Sequence, residues 1–151
     1  MKKRYLKWIS LCAAICIAAV ALMGAGSNRQ EETIKELLEK RNNVMENVLF
    51  GKITYDEGKT KLKEIEEGDL YDKDLQSLVE YRNTEVEPIE DMEIVRIEKE
   101  SDIYDIMAFR GEIKWTYQGV DGIYQESEIY RIGVSEKNDI CRLISLEIQE
   151  N

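Results

Sequence analysis

Thirty-one aspartates and glutamates, and not one histidine, set the chemistry open to this chain. Carboxylates alone can serve as general acid and general base. Ser-His-Asp and Cys-His catalysis need an imidazole, as do histidine-based zinc sites, so these are excluded. No G-x-G-x-x-G, P-loop or G-x-S-x-G stretch is present. Cys141 is the single cysteine beyond the N-terminal apolar run, which leaves the remainder no intramolecular disulfide and no four-cysteine metal site. It alternates with Ile140 and Arg142 in an apparent strand and reads as a small buried hydrophobe. Asp105 is the acid that stands out, because it shares the apolar parity of Ile103 and Met107. Its competing reading is a strand end near solvent.

Two further groups carry possible chemistry. Asp69, Asp72, Asp74 and Glu80 loosely match a calcium loop, with acids at the first and twelfth positions. Tyr71 and Lys73 stand where oxygen ligands belong, and Asp74 where the turn needs glycine, so helix N-capping accounts for these aspartates better. Phe109, Trp115, Tyr117 and Tyr130, with Tyr124, cluster on two neighbouring strands. They read either as the lining of a ligand pocket or as the core between a sheet and its helices. No residue is assigned a catalytic, metal-binding or cofactor-binding role, and no cofactor is expected.

The elements that must position these residues fall into two halves. Ser27 or Asn28 can cap a first helix, in which Ile34, Leu37, Leu38, Val44, Met45, Val48 and Leu49 recur at helical spacing with Arg41 on the same stripe. Phe50-Gly51 ends it. Thr54 with Glu57 forms a capping box for a second helix carrying Tyr55, Leu62 and Ile65, closed by Gly68. Asp72 or Asp74 opens a third with Leu75, Leu78, Val79 and Tyr81. Pro88, the only proline, marks the boundary. The period then becomes two. Met92 to Glu98 forms a first strand, with Val95 and Ile97 on one face. Ile103, Met107, Phe109, Ile113, Trp115 and Tyr117 share a parity in a long second strand, with a bulge or bend expected at Gly111. Trp115 is expected to be buried against the first helix, near Leu38 or Met45. Gly119 to Gly122 turns the chain into a third strand, from Ile123 to Ser135, with Tyr130, Ile132 and Val134 on one face. Glu136 to Asp139 turns it again into a last strand, where Ile140, Ile144, Leu146 and Ile148 alternate. The expectation is an α+β fold: an N-terminal membrane helix, then three helices packed on a curved four-stranded antiparallel sheet.

The address comes from the N-terminus. Lys2, Lys3, Arg4 and Lys7 precede an apolar run from Trp8 to Met23, broken by Ser10 and followed by Gly24, Ala25 and Gly26. Residues 1–26 therefore read as a membrane anchor held through residues 8–26, or as a signal segment that is cleaved, with 27–151 as the domain outside the cytoplasm. As a helix, residues 8–26 would reach roughly 28 Å, near the thickness of a bilayer's hydrocarbon layer. Cys12 and Cys16 lack the small-residue pattern of a lipidation site. All the acids and 17 of the 21 basic residues fall after residue 26, a formal charge of −14. That excludes nucleic acid as a partner, argues against lying on anionic lipid, and calls for a protein partner with a basic patch. The same charge also serves solubility.

Three helices followed by a curved antiparallel sheet resembles, in element order over residues 28–150, the nuclear-transport-factor-two-like or cystatin-like cone. The resemblance implies a long helix laid across a concave sheet face. It also implies two possible roles: a membrane-anchored assembly subunit of the bacterial envelope, or an isomerase- or dehydratase-type enzyme working in the cone. The enzymes of this group often pair an acid with a histidine, and this chain lacks the histidine. The expected function is thus a non-catalytic protein-interaction or assembly module; a small-molecule-binding or carboxylate-only enzyme domain is the alternative.

Overall fold

The computed structural model describes residues 29–149, apart from 83 and 85. The apolar run, Cys12, Cys16 and the cap expected at Ser27 or Asn28 lie outside these residues. The chain divides into two units, Met1–Ile34 and Lys35–Asn151. Of the first, residues 29–34 are described, and they are helical. The second holds three helices packed on a four-stranded antiparallel sheet. Among the described residues no helix is long and apolar enough to cross a membrane.

Helix α1 covers residues 29–49, and its stripe Leu37, Leu38, Val44 and Val48 is buried. Gly51, at φ 68°, lets the chain reverse: the amides of Lys52 and Ile53 both donate to the Asn47 carbonyl. Helix α2 (Tyr55–Ile65) starts on the expected capping box, with Glu57 accepting from the Thr54 amide at 2.8 Å. Gly58 is buried against Val48, so these two helices meet closely. Gly68 does not close α2. That helix stops at Glu66, which is extended, and Gly68 at φ 68° is the cap from which α3 (Asp69–Glu80) begins. Helix α3 therefore opens three residues before Asp72. Its buried side is Leu70, Asp74 and Leu78, while Val79 and Tyr81 are exposed.

An ion cluster ties the helices together. Arg41 on α1 donates from Nε and Nη2 to the two carboxylate oxygens of Asp74 on α3, at 2.6 and 2.7 Å. Glu66 Oε1, at the end of α2, lies 2.9 Å from the same Nε. Arg41 is thus on the apolar stripe because its charge is matched inside, a requirement for burying a guanidinium.

The sheet runs in the order β1 (Ile89–Ile103), β2 (Ile106–Gly119), β3 (Gly122–Lys137), β4 (Ile140–Ile148), a plain meander. Helix α1 is tied to its start: the Ile89 amide donates to Glu46 at 2.6 Å. The buried face of β2 carries Met107, Phe109, Ile113 and Trp115, as the alternation required. Ile103 belongs to β1, not to that strand. Tyr104 and Asp105 form an unforeseen two-residue turn, with Tyr104 at φ 55° and almost fully exposed. Asp105 is exposed in that turn, and its carbonyl accepts from the Glu136 amide at 2.7 Å.

The irregularities sit elsewhere than at Gly111. Gly111 pairs in register with Tyr130, and a methyl there would lie 3.2 Å from Ile132. The bulges are in β1, where register shifts pass over Glu90, Val95 and Glu100. The shift at Val95 breaks the alternation, so Val95 is exposed and Met92 is the buried residue. A fourth shift at Ile144 turns Leu143 into the fully buried residue of β4 and leaves Ile140 and Ile148 exposed. Gly133 opposite makes room: a Cβ there would meet Ser145 Oγ and come within 2.9 Å of Ile144. Asn138 and Asp139, at φ 53° and 62°, make the last hairpin turn.

Candidate functional site

An open groove of about 830 Å³ lies between the helix ends and the β2–β3 hairpin. Leu49 reaches it from the end of α1, Tyr81 and Thr84 from beyond α3, Tyr117 to Gly119 from β2, and Val120 from the turn that follows. Its walls are fixed by local bonding. The Thr84 amide and hydroxyl both donate to the Tyr81 carbonyl, at 3.1 and 2.9 Å. Pro88, also on the wall, accepts from the Gln118 amide at 3.0 Å, which pins the α3–β1 connection to β2.

Along the neighbouring sheet face two carboxylates of β3, Glu126 and Glu128, stand between Tyr124 and Tyr130. Register places Tyr117 opposite Tyr124, Trp115 opposite Glu126, Ile113 opposite Glu128 and Gly111 opposite Tyr130. Directly paired residues point to the same side. The rings of Tyr117 and Tyr124 stack, centroids 5.3 Å apart at 26°. The Tyr124 hydroxyl donates to Glu87, a groove residue, and the Tyr130 hydroxyl donates to Glu128. The Glu87 bond holds the Tyr124 phenol up to about 12. Burial raises Tyr117, and Glu128, Glu126 and Glu87 each raise it further. Three carboxylates therefore act on one half-buried phenol. Among the described residues none of the ion pairs includes Glu87, Glu126 or Glu128. A negative field beside apolar and aromatic walls suits a cation carried on an apolar stem, such as lysine or arginine.

Of the four aromatic residues read either as pocket lining or as core, Tyr117 lines this groove. Phe109, Trp115 and Tyr130 are buried in the core, the other of the two readings. The Asp69–Glu80 stretch is one continuous helix, so its acids do not wrap a common centre, and Asp74 is taken by Arg41. Among the described residues no three cysteines or carboxylates converge as a metal site would require. Cys141 is half-buried. Glu126 and Glu128 were not singled out from the sequence, although the alternation Tyr124, Glu126, Glu128, Tyr130 was there to find. Glu87 comes from an irregular connection and gives no periodic signal.

No family model matches the chain. No curated protein matches it either. Solved structures that resemble it include the intermembrane space region of the chloroplast protein ARC6, at 10% identity and TM-score 0.48 over 80% of this chain and 96% of that one. Another is the beta subunit of the benzoate 1,2-dioxygenase from Burkholderia mallei, at 15% identity and TM-score 0.47 over 76% and 86%. A de novo beta-sheet design follows at 14% identity and TM-score 0.37 over 77% and 87%.

Proposed function

We propose that residues 27–151 form a non-catalytic protein-interaction module that receives a basic segment of its partner in the groove beside Tyr117. The N-terminal apolar run holds the module outside the cytoplasm, at the face of a bacterial membrane. The helices and the bulged, curved sheet then form the cone described by the nuclear-transport-factor-two-like resemblance, with the groove at its rim. The observation that carries this reading is the placement of Glu126 and Glu128 on the sheet face that carries Tyr117, with Glu87 bonded to the Tyr124 ring stacked on it, and with the described cations of the ion pairs held by other acids. A carboxylate group left unpaired beside an apolar wall steers and orients a cationic partner.

Site-specific photocrosslinking tests the reading. A photoreactive residue at Val120, on the groove wall, should capture in intact cells a protein segment rich in lysine or arginine. The same residue at Arg110, exposed on the other parity of β2, should not. Capture of one acidic or neutral segment from Val120, or identical capture from both positions, would remove the groove from the partner's path.

A further inference from the structure

The acid that the groove does not use is Glu66. Its side chain has no solvent exposure. It lies beside Arg41, yet the N–H groups of Arg41 Nε and Nη2 point at Asp74, and neither Glu66 oxygen receives a hydrogen bond. An ionised carboxylate in a buried position without a donor is strongly unfavourable. A protonated one brings its own donor, and Asp74 offers the acceptor. The charges agree. One guanidinium facing two ionised carboxylates leaves a net negative charge inside, whereas one retained proton brings the cluster to neutrality.

We propose that Glu66 keeps its proton beneath Arg41 and turns it toward Asp74, and that this proton makes the α2–α3 junction a clasp that loosens in mild alkali. Among the described residues, Arg41 is the cation that acts on Glu66. Helix α1 offers Arg41, whose Nη1 also donates to Asn42 at 3.3 Å. Helix α3 offers Asp74. Strand β4 offers Leu143, which bridges to the Glu66 backbone. The nearby cations Arg142 and Lys137 pair with Glu67, at 3.8 and 2.8 Å. Burial first, then the hydrogen bond and charge of Asp74, push Glu66 up to about 8 against the pull of Arg41.

The direction of the effect follows. The folded protein keeps a proton that the unfolded chain sheds near 4.5. From there to about 8, stability falls as pH rises, and the unfolding constant grows by up to about tenfold per pH unit. Above that window the loss levels off. The chain has no histidine to blur the effect. Ordinary carboxylates have finished titrating by about pH 5.5, and thiols and the α-amino group have their midpoints near 8 or above. Loosening would also release the Glu67 amide from the Leu143 carbonyl, at 3.0 Å, and uncover the outer edge of β4.

Denaturant unfolding of the full chain between pH 5.5 and 7.5 reads this out, with Glu66→Gln beside it. Glutamine keeps the shape and supplies a permanent donor to Asp74. The wild type should lose stability through the window while Glu66→Gln stays level. Parallel profiles would overturn the proposal. Should the variant not fold, the Glu66 carboxyl signal in a carbon-13 titration of the wild type decides alone. A carboxyl still protonated at pH 6 supports the clasp, and one already ionised there refutes it.

Discussion

Trp115 donates its indole N–H to the Tyr130 hydroxyl across 3.1 Å, the two rings meeting edge-on at 79° with centroids 6.1 Å apart. The Tyr130 hydroxyl in turn donates a hydrogen bond to Glu128. The core of the sheet is therefore wired to the acidic face beside the groove. Trp115→Ala should cost about 3–5 kcal/mol, as large-to-small aromatic core changes do. Its fluorescence in the folded protein should resist an aqueous quencher, because the side chain is buried. Free quenching would reverse the face assigned to the sheet.

Gly58 and Val48 set the spacing of α1 and α2. A methyl on Gly58 would collide with Val48 Cγ2, and a β-branched side chain has little room to turn aside. Alanine normally improves a helix interior by about 1 kcal/mol over glycine. Here Gly58→Ala should instead destabilise by about 1–3 kcal/mol, as overpacking does. Adding Val48→Ala should recover part of the loss. A Gly58→Ala protein with a raised melting temperature would show that the helices can part at little cost.

Tyr124 reports on the acid in the groove. Hydrogen bonding to Glu87 raises its phenol from the ordinary 10 to about 12. A raised value means that the folded protein favours the neutral phenol. That contribution is present below pH 10 and is lost as pH climbs through about 12. In Glu87→Gln, ultraviolet titration should show two of the eight tyrosines ionising earlier than in the wild type, Tyr124 most and Tyr117 less, because Glu87 acts on both. Superimposable curves would separate Glu87 from Tyr124.

Local chemistry was legible in the chain and distant chemistry was not. The capping box of Thr54 and Glu57 spans three residues, and the parity of Phe109, Ile113 and Trp115 spans six, so both could be read directly. The turn at Tyr104 and Asp105 was hidden because neither is the glycine or asparagine that a positive φ favours. The bulges at Val95 and Ile144 flipped the strand faces, since one unpaired residue inverts everything beyond it. Arg41 was visible on its apolar stripe. Its partner Asp74 lies 33 positions away, and only the packed helices bring the two together. In the groove, Tyr117 belonged to a periodic strand and could be nominated. Glu87 joined it through a connection without periodicity.

Groove recognition by charge is tested most directly by the association rate of the segment captured at Val120, measured against ionic strength. The wild type should bind fastest at low salt and slow severalfold as the Debye length shrinks from ~30 Å at 0.01 M to ~8 Å at 0.15 M. The double variant Glu87→Gln, Glu126→Gln should bind more slowly at low salt, with a flatter dependence. Equal rates for the two proteins at every ionic strength would contradict the role assigned to the carboxylates around Tyr117 and leave their charge to solubility alone.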